Sequence, residues 1–159
     1  MDILQIFISL IVKEIEKFYP RNHQGRILYG DILKRENIEL VEMPEYQKDN
    51  SLGQYIELGP RQKPVIYINP LLNEKEKRYV IIYELANYFL YKQSTTRQKG
   101  VFIFSNDKSE NTIFAHEFLL PDKLLRKDIK NFLTMKEISE KYRTPEIIIQ
   151  RRINNIIKI

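Results

Sequence analysis

Residues 79–91 read Tyr-Val-Ile-Ile-Tyr-Glu-Leu-Ala-Asn-Tyr-Phe-Leu-Tyr and carry one charged side chain, Glu84. Asn73 followed by Glu76 is a capping-box pattern, so the spacing predicts a helix from about Asn73 to Tyr91. A helix that is apolar on all sides is normally the central buried helix of its domain. Because a buried ionised carboxylate is costly, Glu84 either reaches water or a hydrogen-bonded neighbour, or marks a functional site.

The segments around this helix predict an α+β fold. Residues 1–19 predict a docking helix ended by Pro20, and its apolar stripe comprises Ile3, Ile6, Phe7, Leu10, Ile11, Ile15 and Phe18. Strand patterns at 38–41, 54–58 and 65–68 predict a small antiparallel or mixed sheet. Residues 101–104 are a further strand candidate, and helices are predicted over 28–35 and 110–120.

The C-terminal quarter carries the whole excess of positive charge. The chain has 26 Lys and Arg against 21 Asp and Glu, a formal charge of +5. Capping patterns at Thr134 and Thr144 predict two short helices in a helix-turn-helix-like unit, with Arg151 and Arg152 on a basic surface. DNA is an alternative partner for this unit but is not favoured, because the second helix begins with residues 147–149, three isoleucines that cannot read bases by hydrogen bonds.

Composition excludes several classes of protein. The chain has no cysteine and two histidines, which rules out a disulfide scaffold, a thiolate zinc site and any site built on three imidazoles. The apolar N-terminal run lacks a basic leader and is too short to cross a bilayer. We therefore expect a soluble, cytoplasmic protein with no membrane partner.

Two stretches resemble a known family. The segment Tyr83-Glu84-Leu85-Ala86-Asn87 resembles the H-E-L-G-H helix of the ImmA/IrrE family of zincin-like metallopeptidases, with both histidines replaced. Residues 110–121 are similar to the second signature of that family and put Glu110 where the third zinc ligand stands. The resemblance runs from about Leu28 onward. It implies a zincin-like domain over residues 1–121, with a basic helical extension, residues 122–159, packed on it.

The replaced residues change what the family chemistry implies here. In an intact H-E-x-x-H helix the histidines bind zinc and the glutamate activates the metal-bound water. Tyr83 and Asn87 are poor substitutes for two imidazoles, so we expect no cofactor and a hydrogen-bonded remnant of Tyr83, Glu84, Asn87 and Glu110. Glu84 keeps the position of the general base. His116 lies about 240° round the helix from Glu110, which favours a surface or supporting side chain.

The resemblance also implies a function. Members of the family are common in phages and mobile elements, where they relieve repression by acting on a helix-turn-helix repressor, often by cleaving it. By analogy we expect a non-cleaving regulator of transcription that binds a protein, such as a repressor. One alternative is an active metallo-endopeptidase that binds zinc in an altered site. Another is a DNA-binding regulator that acts through the basic C-terminal helices.

Overall fold

The computed structural model describes residues 2–44, 51–96 and 108–157, which form seven helices and three strands. The strand candidate at 101–104 lies outside the described residues. In chain order the elements are α1 (Ile3–Phe18), α2 (Tyr29–Arg35), β1 (Glu39–Glu42), β2 (Gly53–Ile56), β3 (Val65–Ile68), α3 (Glu74–Thr96), α4 (Lys108–Leu119), α5 (Asp122–Lys130), α6 (Met135–Tyr142) and α7 (Glu146–Ile157).

The three strands form one mixed sheet in the order β1-β3-β2. Strand β3 pairs parallel with β1 and antiparallel with β2, with Ile66 opposite Leu40 on one side and Tyr55 on the other. Val65, Ile66 and Ile68 of the central strand are buried, as the apolar run predicts. The α+β class and the small mixed sheet predicted from the sequence are confirmed.

Helix α3 is the central helix, as its all-round apolar composition predicts. It packs against α4 and against strands β2 and β3. Ile81, Ile82, Leu85 and Ala86 are at most 1% exposed. The capping box at its start is present, because the Asn73 and Glu76 backbone N–H groups donate to each other's side chains at 2.9 and 3.0 Å.

Helix α1 packs on α4 through a face that shares only Ile11 and Ile15 of its buried residues with the predicted stripe. Its buried residues are Ile8, Ile11, Val12 and Ile15, whereas four members of the predicted stripe, Ile3, Ile6, Leu10 and Phe18, are exposed. The prediction was wrong because the first two turns of α1 are apolar on nearly every side. Periodicity then leaves the orientation of the helix open, and contact with α4 decides it.

The C-terminal helices share one hydrophobic core with the rest of the described chain, through Leu125, Ile138, Tyr142 and Ile149. The second capping box is present, with the Glu137 backbone N–H donating to Thr134 Oγ1. Buried Asp128 accepts hydrogen bonds from Lys141 Nζ at 2.6 Å and from the Tyr142 hydroxyl at 2.5 Å, which joins α5 to α6. Across the described residues no helix is both long and apolar enough to cross a membrane.

Candidate functional site

Glu84 is buried in the middle of α3 and acts as a hydrogen-bond acceptor. Its Oε2 accepts from the Tyr55 backbone N–H at 3.0 Å and from Asn87 Nδ2 at 3.1 Å. Asn87 can reach this oxygen because residues three apart lie on one face of a helix. The first bond ties the carboxylate to β2, an edge strand of the sheet, so Glu84 joins the central helix to the sheet.

Gly53 makes this helix–strand contact close enough for the hydrogen bond. A Cβ at position 53 would lie 2.4 Å from Val80 Cγ1 and 3.3 Å from Glu84 Cγ. Any other side chain would therefore have to push β2 away from α3. The glycine is needed for close approach of the backbone to the helix.

Asn87 extends the network to α4. Its Oδ1 accepts from Asn111 Nδ2 at 3.2 Å, while its Nδ2 donates to Glu84. Both ends of the Asn87 amide therefore have protein partners. The sequence predicts a bond from Asn87 to a carboxylate, and that bond is present. Two members of the network, Asn111 and the Tyr55 N–H, were not predicted. Asn111 could have been found, because it follows Glu110 within the second signature. The Tyr55 N–H could not, because a backbone donor leaves no pattern in the sequence.

Tyr83 and Glu110 are the neighbours in sequence of two members of this network, Glu84 and Asn111. Glu110 is buried on α4, one residue before Asn111. Tyr83 is half-buried, with its ring 6.3 Å from that of Tyr79. The Tyr79 hydroxyl bonds with Thr112, and burial raises the pKa of Tyr79. The four motif positions therefore lie on two helices, α3 and α4, that pack together, and their roles stay predictions.

His116 is not a surface residue. It is 4% exposed, and burial together with Arg152 and Arg151 lowers its pKa to about 4. A neutral imidazole is favoured because a buried cation would be desolvated beside two other cations. A cleft of about 490 Å³, lined by residues of α1, α4, α5 and α7, includes His116.

Arg152 is not on the basic surface, and the prediction that placed it there is wrong. Its side chain is 4% exposed, and Nη2 donates to Glu117 Oε1 at 2.7 Å. Its Nε donates to the Leu120 carbonyl oxygen at 3.3 Å. Arg152 thus fixes α7 to the end of α4, whereas its neighbour Arg151 is exposed. Of the residues that begin α7, Ile147 is exposed and Ile148 and Ile149 are buried.

The motif residues do not fit zinc. Zinc sites in proteins use imidazole, thiolate or carboxylate ligands in tetrahedral geometry. At the two imidazole positions stand a phenol and a neutral amide, and the amide is already hydrogen-bonded at both ends. Within the described ranges no three His, Cys, Asp or Glu side chains are grouped so that they could hold a metal ion.

A known family model matches most of the chain. The model described as Peptidase_M78, IrrE N-terminal-like domain, matches residues 33–154. The match includes the sheet, the α3–α4 site and most of α7, and it confirms the family resemblance drawn from the sequence. The matched range also crosses the predicted boundary between the zincin-like domain and the helical extension, at residues 121 and 122. That division of the chain stays a prediction. No curated protein matches the chain.

Proposed function

Because the chain belongs to the IrrE N-terminal-like family of metallopeptidase-related domains, we propose that it is a non-cleaving member that regulates by binding another protein. Under this proposal the ancestral reaction has been lost and the fold is kept as a binding scaffold. The family resemblance suggests a helix-turn-helix repressor of a phage or mobile element as the partner. The protein then acts in the cytoplasm on transcription.

The hydrogen bonds of the motif residues are the main support. A glutamate that acts as a general base must present a carboxylate oxygen to the water it activates. Here one of the two carboxylate oxygens of Glu84, Oε2, already accepts two N–H donors, one from the sheet and one from Asn87. The contact with Tyr55 supports a structural role for Glu84, since it joins helix to sheet. Asn87 supplies donors where a metal ion would supply positive charge.

The residues beside the network are where we place the ancestral groove. The zinc ligands of the resembling family stand at the positions of Tyr83, Asn87 and Glu110. The first two lie on α3 and the third on α4, and the bond from Asn111 to Asn87 links these two helices. Direct DNA binding has less support than protein binding. One of the two arginines assigned to it, Arg152, is used in a buried ion pair with Glu117.

Restoring the ligands tests the proposal. The double variant Tyr83→His, Asn87→His, with Glu110 unchanged, is expected to bind zinc, whereas wild type and each single variant are expected to bind none tightly. The measurement is isothermal titration with Zn²⁺ on metal-free protein, with mass spectrometry of a helix-turn-helix repressor incubated with each variant. Tight zinc binding by wild type, or cleavage of the repressor by wild type, would contradict the proposal.

A further inference from the structure

Helix α5 ends in a Schellman motif whose key position is a phenylalanine. The Leu133 N–H donates to the Asp128 carbonyl oxygen at 3.1 Å and the Phe132 N–H to that of Ile129 at 3.0 Å. These bonds place Phe132 at the left-handed position, with φ of 60°. Glycine is favoured there because a Cβ is crowded against the backbone in that conformation. Phe132 is therefore held in an unfavourable backbone conformation.

Packing does not explain why this residue is phenylalanine. Its side chain is 92% exposed. The other described non-glycine residues with positive φ are Asn37, Gln62 and Arg143, all polar. Phe132 is the one apolar residue among them. A large apolar side chain in a conformation that favours glycine, and outside the core of the described residues, points to a contact beyond those residues.

The surroundings of Phe132 are cationic. Ile129, one turn back on α5, is 38% exposed and extends the apolar area. The three exposed lysines of α5, Lys123, Lys127 and Lys130, make no ion pair with any residue in the described ranges. The acidic residue between them, Asp128, points inward to Lys141 and Tyr142. We call this surface the α5 corner; it consists of Lys123, Lys127 and Lys130, which share one face of α5, with Ile129 and Phe132 at the C-terminal end of the helix.

We propose that the α5 corner docks an acidic amphipathic segment of a partner protein, with Phe132 inserted into its apolar face and the lysines paired with its carboxylates. This deepens the proposed function, on which it rests for the partner being a protein. A buried aromatic anchor surrounded by charged residues is the usual arrangement of a protein–protein hot spot.

Other occupants fit the surface less well. A single-stranded nucleic acid is normally held by several aromatic side chains along a basic groove, and the α5 corner offers one. Stable attachment to a membrane needs a larger apolar area or a lipid anchor beside the basic patch, and Phe132 and Ile129 supply little. An acidic amphipathic segment would pair its carboxylates with the lysines and its apolar face with Phe132 and Ile129, so it would contact every residue of the α5 corner.

The experiment compares Phe132→Gly with the control Gln62→Gly. Each variant places glycine at an exposed residue whose backbone is in the left-handed conformation, and so removes the strain of a Cβ there. Neither variant changes the net charge. Each variant is expected to raise Tm by about 2–4 °C. If Phe132→Gly lowers Tm instead, the phenylalanine is structural and the inference is wrong.

Binding is measured by fluorescence anisotropy at low salt with a labelled amphipathic helical peptide of Glu and Leu. Wild type and Gln62→Gly are expected to bind equally. Phe132→Gly is expected to bind at least about tenfold more weakly, and rising salt to weaken all three. The same peptide with Lys for Glu, oligothymidylate, and phosphatidylserine vesicles are the comparison probes.

Besides a lower Tm of Phe132→Gly, three binding results would overturn the inference: no binding of the acidic peptide, equal binding by Phe132→Gly, or Phe132-dependent binding of the oligonucleotide or vesicles alone. These readouts do not involve Glu84 or metal. Zinc-dependent cleavage by wild type would therefore contradict the proposed function while leaving this result unaffected.

Discussion

Replacing Glu84 by alanine separates a structural role from a catalytic one. The change removes the acceptor of two hydrogen bonds, from the Tyr55 N–H at 3.0 Å and from Asn87 at 3.1 Å. A hydrogen bond to a charged group contributes about 1.5–3 kcal/mol, and a buried donor left without a partner costs about 1–3 kcal/mol. Tyr55 and Asn87 are only half-buried, so we expect a total loss of about 2–4 kcal/mol.

The measurement is urea unfolding followed by circular dichroism, with Tm as a second readout. For a chain of this length the loss corresponds to a fall in Tm of about 4–16 °C. Glu84→Gln keeps an oxygen acceptor and is expected to lose less. The matched control is Glu74→Ala, an exposed carboxylate on the same helix, which should change stability by less than about 1 kcal/mol.

A catalytic role predicts the opposite outcome. Residues kept for catalysis are often unfavourable for folding, so their replacement commonly leaves stability unchanged or raises it. If Glu84→Ala unfolds within about 0.5 kcal/mol of wild type, or is more stable, the structural interpretation of the Glu84 network is refuted.

Three further predictions concern packing, ion pairing and pH. Gly53→Ala should destabilise by about 1–3 kcal/mol in urea unfolding, because its Cβ would meet Val80 at 2.4 Å; an unchanged midpoint would show that the helix–strand contact is loose. Arg152→Ala should cost about 1–3 kcal/mol, because Glu117 loses its cation and keeps only the hydrogen bond from Gln5, and the double change with Glu117→Gln should recover part of that loss. In the folded protein the pKa of His116 is lowered to about 4. Between about pH 6.5 and 4 the imidazole is therefore protonated in the unfolded chain but largely neutral in the folded one. The free energy of unfolding should fall by up to about 3 kcal/mol as pH drops from about 6.5 to 4. His116→Gln should lose that component of the pH dependence, and an identical pH profile would contradict it.

The sequence predicted those parts of the fold that depend on local chemistry. Both capping boxes form, because each is specified by a side chain and a backbone N–H three residues apart. Strand β3 was found because both faces of a central strand are buried, which leaves a continuous apolar run. The central position of α3 followed from its composition.

The parts that were missed depend on tertiary contacts. The buried face of α1 is chosen by α4, and Arg152 is drawn inward by Glu117, a partner 35 residues away. In the candidate site, Glu84 and Asn87 were identified because they lie in one short motif. The Tyr55 N–H was not, because a backbone donor on another element has no signature in the sequence. The left-handed conformation of Phe132 was also hidden, since glycine or asparagine normally indicates it.

The zinc content of the purified protein tests the central claim most directly. The protein is prepared without chelators, and zinc is measured per chain by elemental analysis beside the double variant Tyr83→His, Asn87→His. Because the Asn87 amide is bonded to Glu84 and Asn111, we expect far less than one zinc ion per wild-type chain. The double variant should contain more zinc than wild type. One zinc ion per wild-type chain would contradict the proposed loss of the metal site and would favour the alternative, an active metallopeptidase.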